Sequence, residues 1–493
     1  MFEAAELGQK LSKKEFDEAE PQIHTQLLEA QRKLRERNFP VIVIVSGVEG
    51  AGKGTVVNYL NKWLDARGIT TEAFWDESDE EAERPPYWRF WRRLPPRGTV
   101  GILFGSWYTK PIIDHVYGKA DQPEFERQLR RIAEFEKLLT VDGALIVKFW
   151  FHLSKKDQQK RLEQEAKLLK KEIKSTLIKK FSKRYKDFAK SSELAIRMTD
   201  LGVSPWYLVE ATDKRYRDIT VGRILLDALE KRLAQDAPHP VSVETPEIIP
   251  EIAKDEITIL DHVDLTKSLQ KKTYQQQLAK YQRKLYKLAW QAREQKRSSI
   301  AMFEGWDAAG KGGAIRRITA AMDARLYKVI SIAAPTDEEK AQHYLWRFWR
   351  HVPRAGYVTI YDRSWYGRVL VERVEKFARE DEWKRAYHEI NDFEQQLSEH
   401  GIIIAKFWVH LSKDEQLRRF KEREKTAWKQ YKITDEDWRN REKWDAYKEA
   451  VNEMVTHTST EYAPWSLIPG NDKLFARVEM LKVFCEHLER CLG

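Results

Sequence analysis

One glycine-rich loop occurs twice in this chain. Gly47-Val-Glu-Gly-Ala-Gly52-Lys53-Gly54-Thr55 returns as Gly305-Trp-Asp-Ala-Ala-Gly310-Lys311-Gly312-Gly313, so that residue 47 answers residue 305 at an offset of 258. The same offset carries Trp88-Arg-Phe-Trp-Arg92 onto Trp346-Arg-Phe-Trp-Arg350 and Ser106-Trp-Tyr108 onto Ser364-Trp-Tyr366. It also carries Lys148-Phe-Trp-Phe-His-Leu-Ser154 onto Lys406-Phe-Trp-Val-His-Leu-Ser412. Matches in one register, rich in tryptophan, point to tandem duplication of a single domain. Differences between the copies then indicate where chemistry is kept.

Each loop follows a short apolar run, Val41–Val45 or Ile300–Phe303, bounded by breakers and suited to a buried parallel strand. A helical segment precedes each run, at Gln31–Leu34 and Gln282–Leu285. Further strands are expected at Val100–Phe104, Ala144–Phe149, Val358–Tyr361 and Ile402–Phe407. Helical spacing appears between them, at Phe125–Leu139 and Phe393–Glu399. Alternating strands and helices predict an α/β fold: two tandem P-loop-kinase-like three-layer α/β/α domains, each with a parallel sheet. Pro238, Pro240, Pro246 and Pro250 disfavour helix and central strand alike. The expected division is therefore 1–235, a linker at 236–256, and 257–493. After Leu411 the second copy turns helical and basic, through Arg418, Arg419, Lys421, Arg423, Lys425, Lys429 and Lys432, where a nucleotide-kinase-like fold would carry a helical lid. Lys167–Lys186 in the first copy reads as a helix with an exposed face.

Backbone N–H groups of a strand–glycine loop–helix turn form a concave anion site, and a lysine there neutralises the phosphates it reaches. In the second copy Gly305, Ala308, Ala309, Gly310, Lys311, Gly312 and Gly313 are the candidate phosphate-binding residues. Gly312 stands where the usual loop has the Ser or Thr that holds Mg²⁺, so other oxygens must anchor a metal. Asp307, inside the loop, and Asp362, ending a strand in Tyr361-Asp-Arg-Ser-Trp-Tyr-Gly-Arg368, are the candidate ligands, since a hard cation prefers carboxylate and phosphate oxygens. Arg363 and Arg368 could spread the charge of a moving phosphoryl group. At the same offset the first copy has Phe104 for Asp362, Gly105 for Arg363, Lys110 for Arg368, Glu49 for Asp307 and Glu165 for Arg423. That copy is expected to scaffold and to do little or no catalysis, with Lys53 left as a candidate anion contact.

Composition narrows the partners. Lys and Arg exceed Asp and Glu by 10, with pI near 9.1, which favours a polyanion but does not choose between nucleic acid, polyphosphate and nucleotide. No nucleic-acid motif is present, which argues against a nucleic-acid-binding ATPase or a non-enzymatic polyanion binder. The Trp-Arg-Phe-Trp-Arg segments, Trp206 and Trp465 recur in both copies and read as packing, and His343 and His351 are assigned no role. Cys485 and Cys491, with His487 between them, sit on a terminal helix and read as packing rather than a metal site. The first residues lack the pattern of a secretory signal, and no apolar run approaches the roughly 18 residues of a membrane span, so no membrane partner and a cytoplasmic setting are expected.

Gly-x-Asp-x-x-Gly-Lys-Gly-Gly, Tyr-Asp-Arg-Ser-Trp-Tyr-Gly-Arg and the basic segment after Leu411 together resemble the polyphosphate kinase type-2 family. The likeness spans the second copy, with a weaker echo over the first. It implies a P-loop kinase fold with a lid and Mg²⁺-dependent phosphate transfer between inorganic polyphosphate and nucleotides. Fused two-domain members imply AMP as acceptor and ADP as product, with the C-terminal domain active. Carried over by position, Asp307 helps organise metal and acceptor phosphate, Lys311 and the loop amides hold phosphates, and Asp362 supports Mg²⁺. Arg363 and Arg368 orient donor and acceptor, while the lid residues Arg419, Arg423, Lys425 and Lys429 close over the reacting groups. Pairing of two chains follows from family analogy alone. Phosphorylation of diphosphates, or an ordinary ATP-dependent nucleotide kinase, are the nearest rivals.

Overall fold

The computed structural model describes residues 1–168, 184–235, 258–426, 433 and 435–493, with the backbone alone for 165–168. The linker at 236–256, Lys429 and most of the Lys167–Lys186 run lie outside the described residues. Two compact units result, each built on one five-stranded sheet.

In the first unit the strands are β1 (Val41–Gly47), β2 (Ile69–Ala73), β3 (Val100–Phe104), β4 (Leu145–His152) and β5 (Trp206–Glu210). Their order is β2-β3-β1-β4-β5, every pair parallel. The second unit has β6 (Ser299–Gly305), β7 (Tyr327–Ser331), β8 (Val358–Asp362), β9 (Ile403–His410) and β10 (Trp465–Pro469), in the equivalent order β7-β8-β6-β9-β10, again parallel. A parallel sheet is covered on both faces, which is why β1 and β9 are almost wholly apolar and buried. The central strand of each sheet, β1 or β6, runs between neighbours reached by crossovers in opposite directions. Its C-terminal end is thus the topological switch point where such sheets bind ligands, and both glycine loops start there.

All the expected strands form: Val100–Phe104 with the same bounds, the others running one to three residues further at their C-terminal ends, and two of them starting one residue later, at Leu145 and Ile403. Phe125–Leu139 lies within the helix Gln122–Val141, started by Asp121, whose side chain accepts the Glu124 N–H. Phe393–Glu399 is the last part of a longer helix, Glu380–Glu399. Among the described helices none is long and apolar enough to cross a membrane. Burial pushes the Cys485 thiol up to about 12, which fits packing rather than metal ligation.

The recurring tryptophan motifs resolve into a buried polar cluster built twice. In the second unit Glu394 accepts from Trp365 Nε1 at 2.9 Å, from Tyr366 Oη at 2.7 Å and from Lys406 Nζ at 2.7 Å, and Lys406 also donates to the Thr458 carbonyl at 2.6 Å. In the first unit Glu136 takes Trp107, Tyr108 and Lys148, and Lys148 takes the Thr199 carbonyl. Both ion pairs are fully buried, so their donors and acceptors must satisfy one another. Because the unit with the altered loop keeps the cluster, its work is structural: it pins the segment after β3 or β8 to the sheet. Trp-Arg-Phe-Trp-Arg packs against the same segment, through Phe348 on Trp365 and Phe90 on Trp107, and against the helix that supplies the buried glutamate, through Trp349 on Phe393 and Trp91 on Phe135.

Candidate active site

In the second unit the loop from Trp306 to Gly313 walls a cavity of about 580 Å³ together with Asp362, Arg363, the basic side chains of Arg316, Arg423, Lys473 and Arg477, and the acidic ones of Glu422, Glu436 and Asp437. Gly305 ends β6 at φ 148, and a Cβ there would stand 2.6 Å from the Val409 carbonyl oxygen, so the close approach of β9 requires glycine. Gly310, at φ 108, is the N-cap of the helix Lys311–Thr319. The first N–H groups of that helix have no partner within it, which leaves donors and a positive dipole end at the loop. Lys311 Nζ rests on the Gly305 carbonyl at 2.6 Å.

Asp362 ends β8 and lines this cavity, beside the loop rather than turned into the core. Among the described residues its carboxylate has no hydrogen bond or ion pair. Asp307 faces the same space, accepting from Asn440 Nδ2 at 3.0 Å and lying 3.7 Å from Arg363 Nη2. Two carboxylates beside a phosphate cradle suit a hard cation that takes its remaining oxygens from phosphate and water. The described residues hold no group of three or more His, Cys, Asp or Glu that could serve as a closed metal cage.

Three of the expected site residues are placed differently. Arg368 is not brought into the cavity wall. Its guanidinium pairs with Glu372 at 3.1 Å and lies over the Tyr344 ring. Arg419 was expected in the lid, yet only 1 % of it is exposed, and it donates to the Ala308, Ala309, Gly470 and Asn471 carbonyls. It lines the cavity and ties the loop carbonyls of Ala308 and Ala309 to the chain after β10 at Gly470 and Asn471. Lys425 is exposed at the end of the helix Lys413–Glu424 and does not line the cavity. Lys429 lies outside the described residues. Arg423 does line it.

Several site groups escaped the sequence reading. Trp306 Nε1 donates to His410 Nδ1 at 3.1 Å, and its ring stacks on Trp444 with centroids 3.7 Å apart, which fixes the outer lip of the loop. Burial, helped by Lys448, holds His410 down at about 4, so Nδ1 is a free acceptor at neutral pH. The unfolded chain then binds the proton more readily, and stability falls as pH drops through the interval between the ordinary histidine value and about 4. Acidifying from pH 7 to pH 5 should cost about 2 kcal/mol through this group. Urea melts of the wild type and His410→Gln should show that much less acid sensitivity in the variant.

Lys473 and Arg477 were also overlooked. They open the C-terminal helix Lys473–Leu492 and line the cavity, with the Arg477 guanidinium near Gly313. Burial and neighbouring arginines pull both their pKa values down, the mark of cations crowded together. Since Trp465 aligns with Trp206, the offset here is 259, and Asp218 occupies the place of Arg477 in the first copy. A comparison in that register would have found the exchange.

The first unit lacks the counterpart arrangement. Phe104 ends β3, Lys110 pairs with Glu77 and Asp114, and Lys53 is tied to Glu49 at 3.2 Å as well as to the Gly47 and Val48 carbonyls. The Glu165 side chain lies outside the described residues.

The family model described as Polyphosphate kinase 2 matches residues 10–237 and again residues 268–491. A polyphosphate:AMP phosphotransferase of Pseudomonas aeruginosa is 50% identical over 99% of this chain and 99% of its own length. One from Pseudomonas syringae pv. tomato is 46% identical over 100% of this chain and 99% of its own. A solved chain from Pseudomonas aeruginosa PA01, described as a polyphosphate kinase 2, is 48% identical, with a TM-score of 0.88 over 100% of this chain and 99% of that one.

Proposed function

This chain belongs to the polyphosphate kinase 2 family, and on that footing we propose that it transfers the terminal phosphate of inorganic polyphosphate to AMP, forming ADP, in residues 257–493. The observation that carries the proposal is the shared cavity: phosphate loop, unpaired Asp362, Asp307 and a basic wall, beside a first copy with Phe104 at the carboxylate position. The bound Mg²⁺ we propose would neutralise phosphate charge and align the reacting oxygens, held by Asp362 and Asp307.

The chain's own groups divide the remaining tasks. Loop amides and Lys311 grip phosphates at the transfer point. Arg316, Arg423, Lys473 and Arg477 offer a cationic wall along which a polyphosphate chain lies, relieving their mutual repulsion. Arg363, held beside Asp307, draws charge off the moving phosphoryl group. Such transfer is mainly positioning and charge neutralisation, and no covalent nucleophile is required. Residues 1–235 scaffold, their loop lysine occupied by Glu49. The reaction is placed in the cytoplasm with its nucleotide substrates.

The test is a transfer assay on the full chain with polyphosphate and AMP and no ATP, followed by ADP, GMP and GDP as acceptors. ADP should form from AMP and polyphosphate alone. Product that appears only when ATP is supplied would instead mark an ATP-dependent nucleotide kinase.

A further inference from the structure

Glu304 is the penultimate residue of β6, just ahead of Gly305, 6% exposed, and accepts a hydrogen bond from Ser364 Oγ at 2.8 Å. Burial raises its pKa, opposed by the Lys311 and Arg363 charges and by Ser364. It does not line the cavity, so it touches no substrate. Ser364 in turn caps the 3-10 turn Trp365–Arg368, accepting from the Tyr366 N–H at 3.4 Å. The residue before that serine, Arg363, is a non-glycine held at φ 64. A left-handed arginine costs on the order of 1 kcal/mol and persists only where its surroundings impose it.

The first copy gives the comparison. It keeps the serine, Ser106, which caps the Tyr108 N–H in the same way. Ser46 stands at the place of Glu304, and Gly105, at φ 79, stands at the place of Arg363. Buried acid and strained arginine occur together in the second copy and are replaced together in the first. The shared polar cluster at Glu394 and Glu136 cannot account for that difference, since both copies have it.

We infer that Glu304 is a positioning residue, which through its hydrogen bond to Ser364 holds the turn that carries Arg363 and so fixes the Arg363 guanidinium against the phosphate loop during transfer. The inference rests on the polyphosphate-to-AMP reading above. A displaced guanidinium meets the transition-state charge poorly while substrates still bind, so the effect falls on kcat rather than KM.

The experiment uses the full chain and measures kcat, KM and thermal melting for wild type, Glu304→Gln, Glu304→Ser, Arg363→Gly and the double variant Glu304→Ser/Arg363→Gly. Glu304→Ser should lower kcat roughly ten- to a hundredfold with both KM values within about twofold. Glu304→Gln keeps an acceptor oxygen for Ser364, folds as the wild type, and should fall between. Because the acid acts through the arginine, the double variant should lose no more than Arg363→Gly alone. Losses that multiply, or a Glu304→Gln and Glu304→Ser kcat within about twofold of wild type, would overturn the inference and leave the polyphosphate reading standing. A wild type that makes no ADP from polyphosphate would overturn that reading and this inference with it.

Discussion

Replacing Asp362 with asparagine should lower kcat for ADP formation by a hundred- to a thousandfold, on the order seen when one preorganised charge-stabilising group is removed. The change is nearly isosteric, and no described residue bonds to the carboxylate, so folding has nothing to lose. Melting of the variant should match the wild type within about 0.5 kcal/mol, the usual range for a substitution that breaks no contact. What disappears is the negative charge that the proposed divalent cation would need at the end of β8. Glu49→Ala is the companion variant, because it frees Lys53 in the first copy without touching the second cavity. It should leave the rate within about twofold of wild type. A slow Glu49→Ala beside a normal Asp362→Asn would place the chemistry in the first copy.

The duplication made much of this arrangement readable beforehand. Motifs in one register announced two equal sheets, and the apolar runs before each loop located the central strands. β2 and β7 were not foreseen because edge strands are half solvated: Ile69-Thr-Thr-Glu-Ala and Tyr327-Lys-Val-Ile-Ser lack the continuous apolar run of a buried strand. β10 ends in Pro469, a residue that argues against a strand until it is seen at the sheet edge. The loop, Asp307, Asp362 and Arg363 were legible from charge type and position alone. Arg419, Glu304 and Asn440 were not, since their parts depend on contacts across 51 to 133 residues of sequence. Arg368 shows the opposite: the motif suggests a place in the cavity wall, and its guanidinium pairs with Glu372 instead of lining the cavity.

Arg419→Ala should destabilise the second unit by roughly 3–5 kcal/mol, as breaking a buried charged hydrogen-bond cluster does. The guanidinium donates to carbonyls of Ala308 and Ala309 in the loop and of Gly470 and Asn471 after β10, and its Nε is 2.6 Å from Glu415. Alanine would leave those four carbonyls without this donor, while Glu415 keeps its two bonds from Arg418. Arg419→Lys should recover less than half of the loss, because one ammonium cannot reproduce a planar fork that reaches two separate chain segments. The first copy has the same brace: Arg161 donates to the Gly50, Ala211 and Thr212 carbonyls although no catalysis is proposed there. Arg161→Ala should therefore destabilise its own unit while leaving ADP formation per folded molecule unchanged. Urea melts of the full chain with each variant, read together with the rate, separate the brace from a lid. If Arg419→Ala melted like wild type and only raised KM for polyphosphate, the arginine would be gripping substrate and the loop would be holding its shape without it.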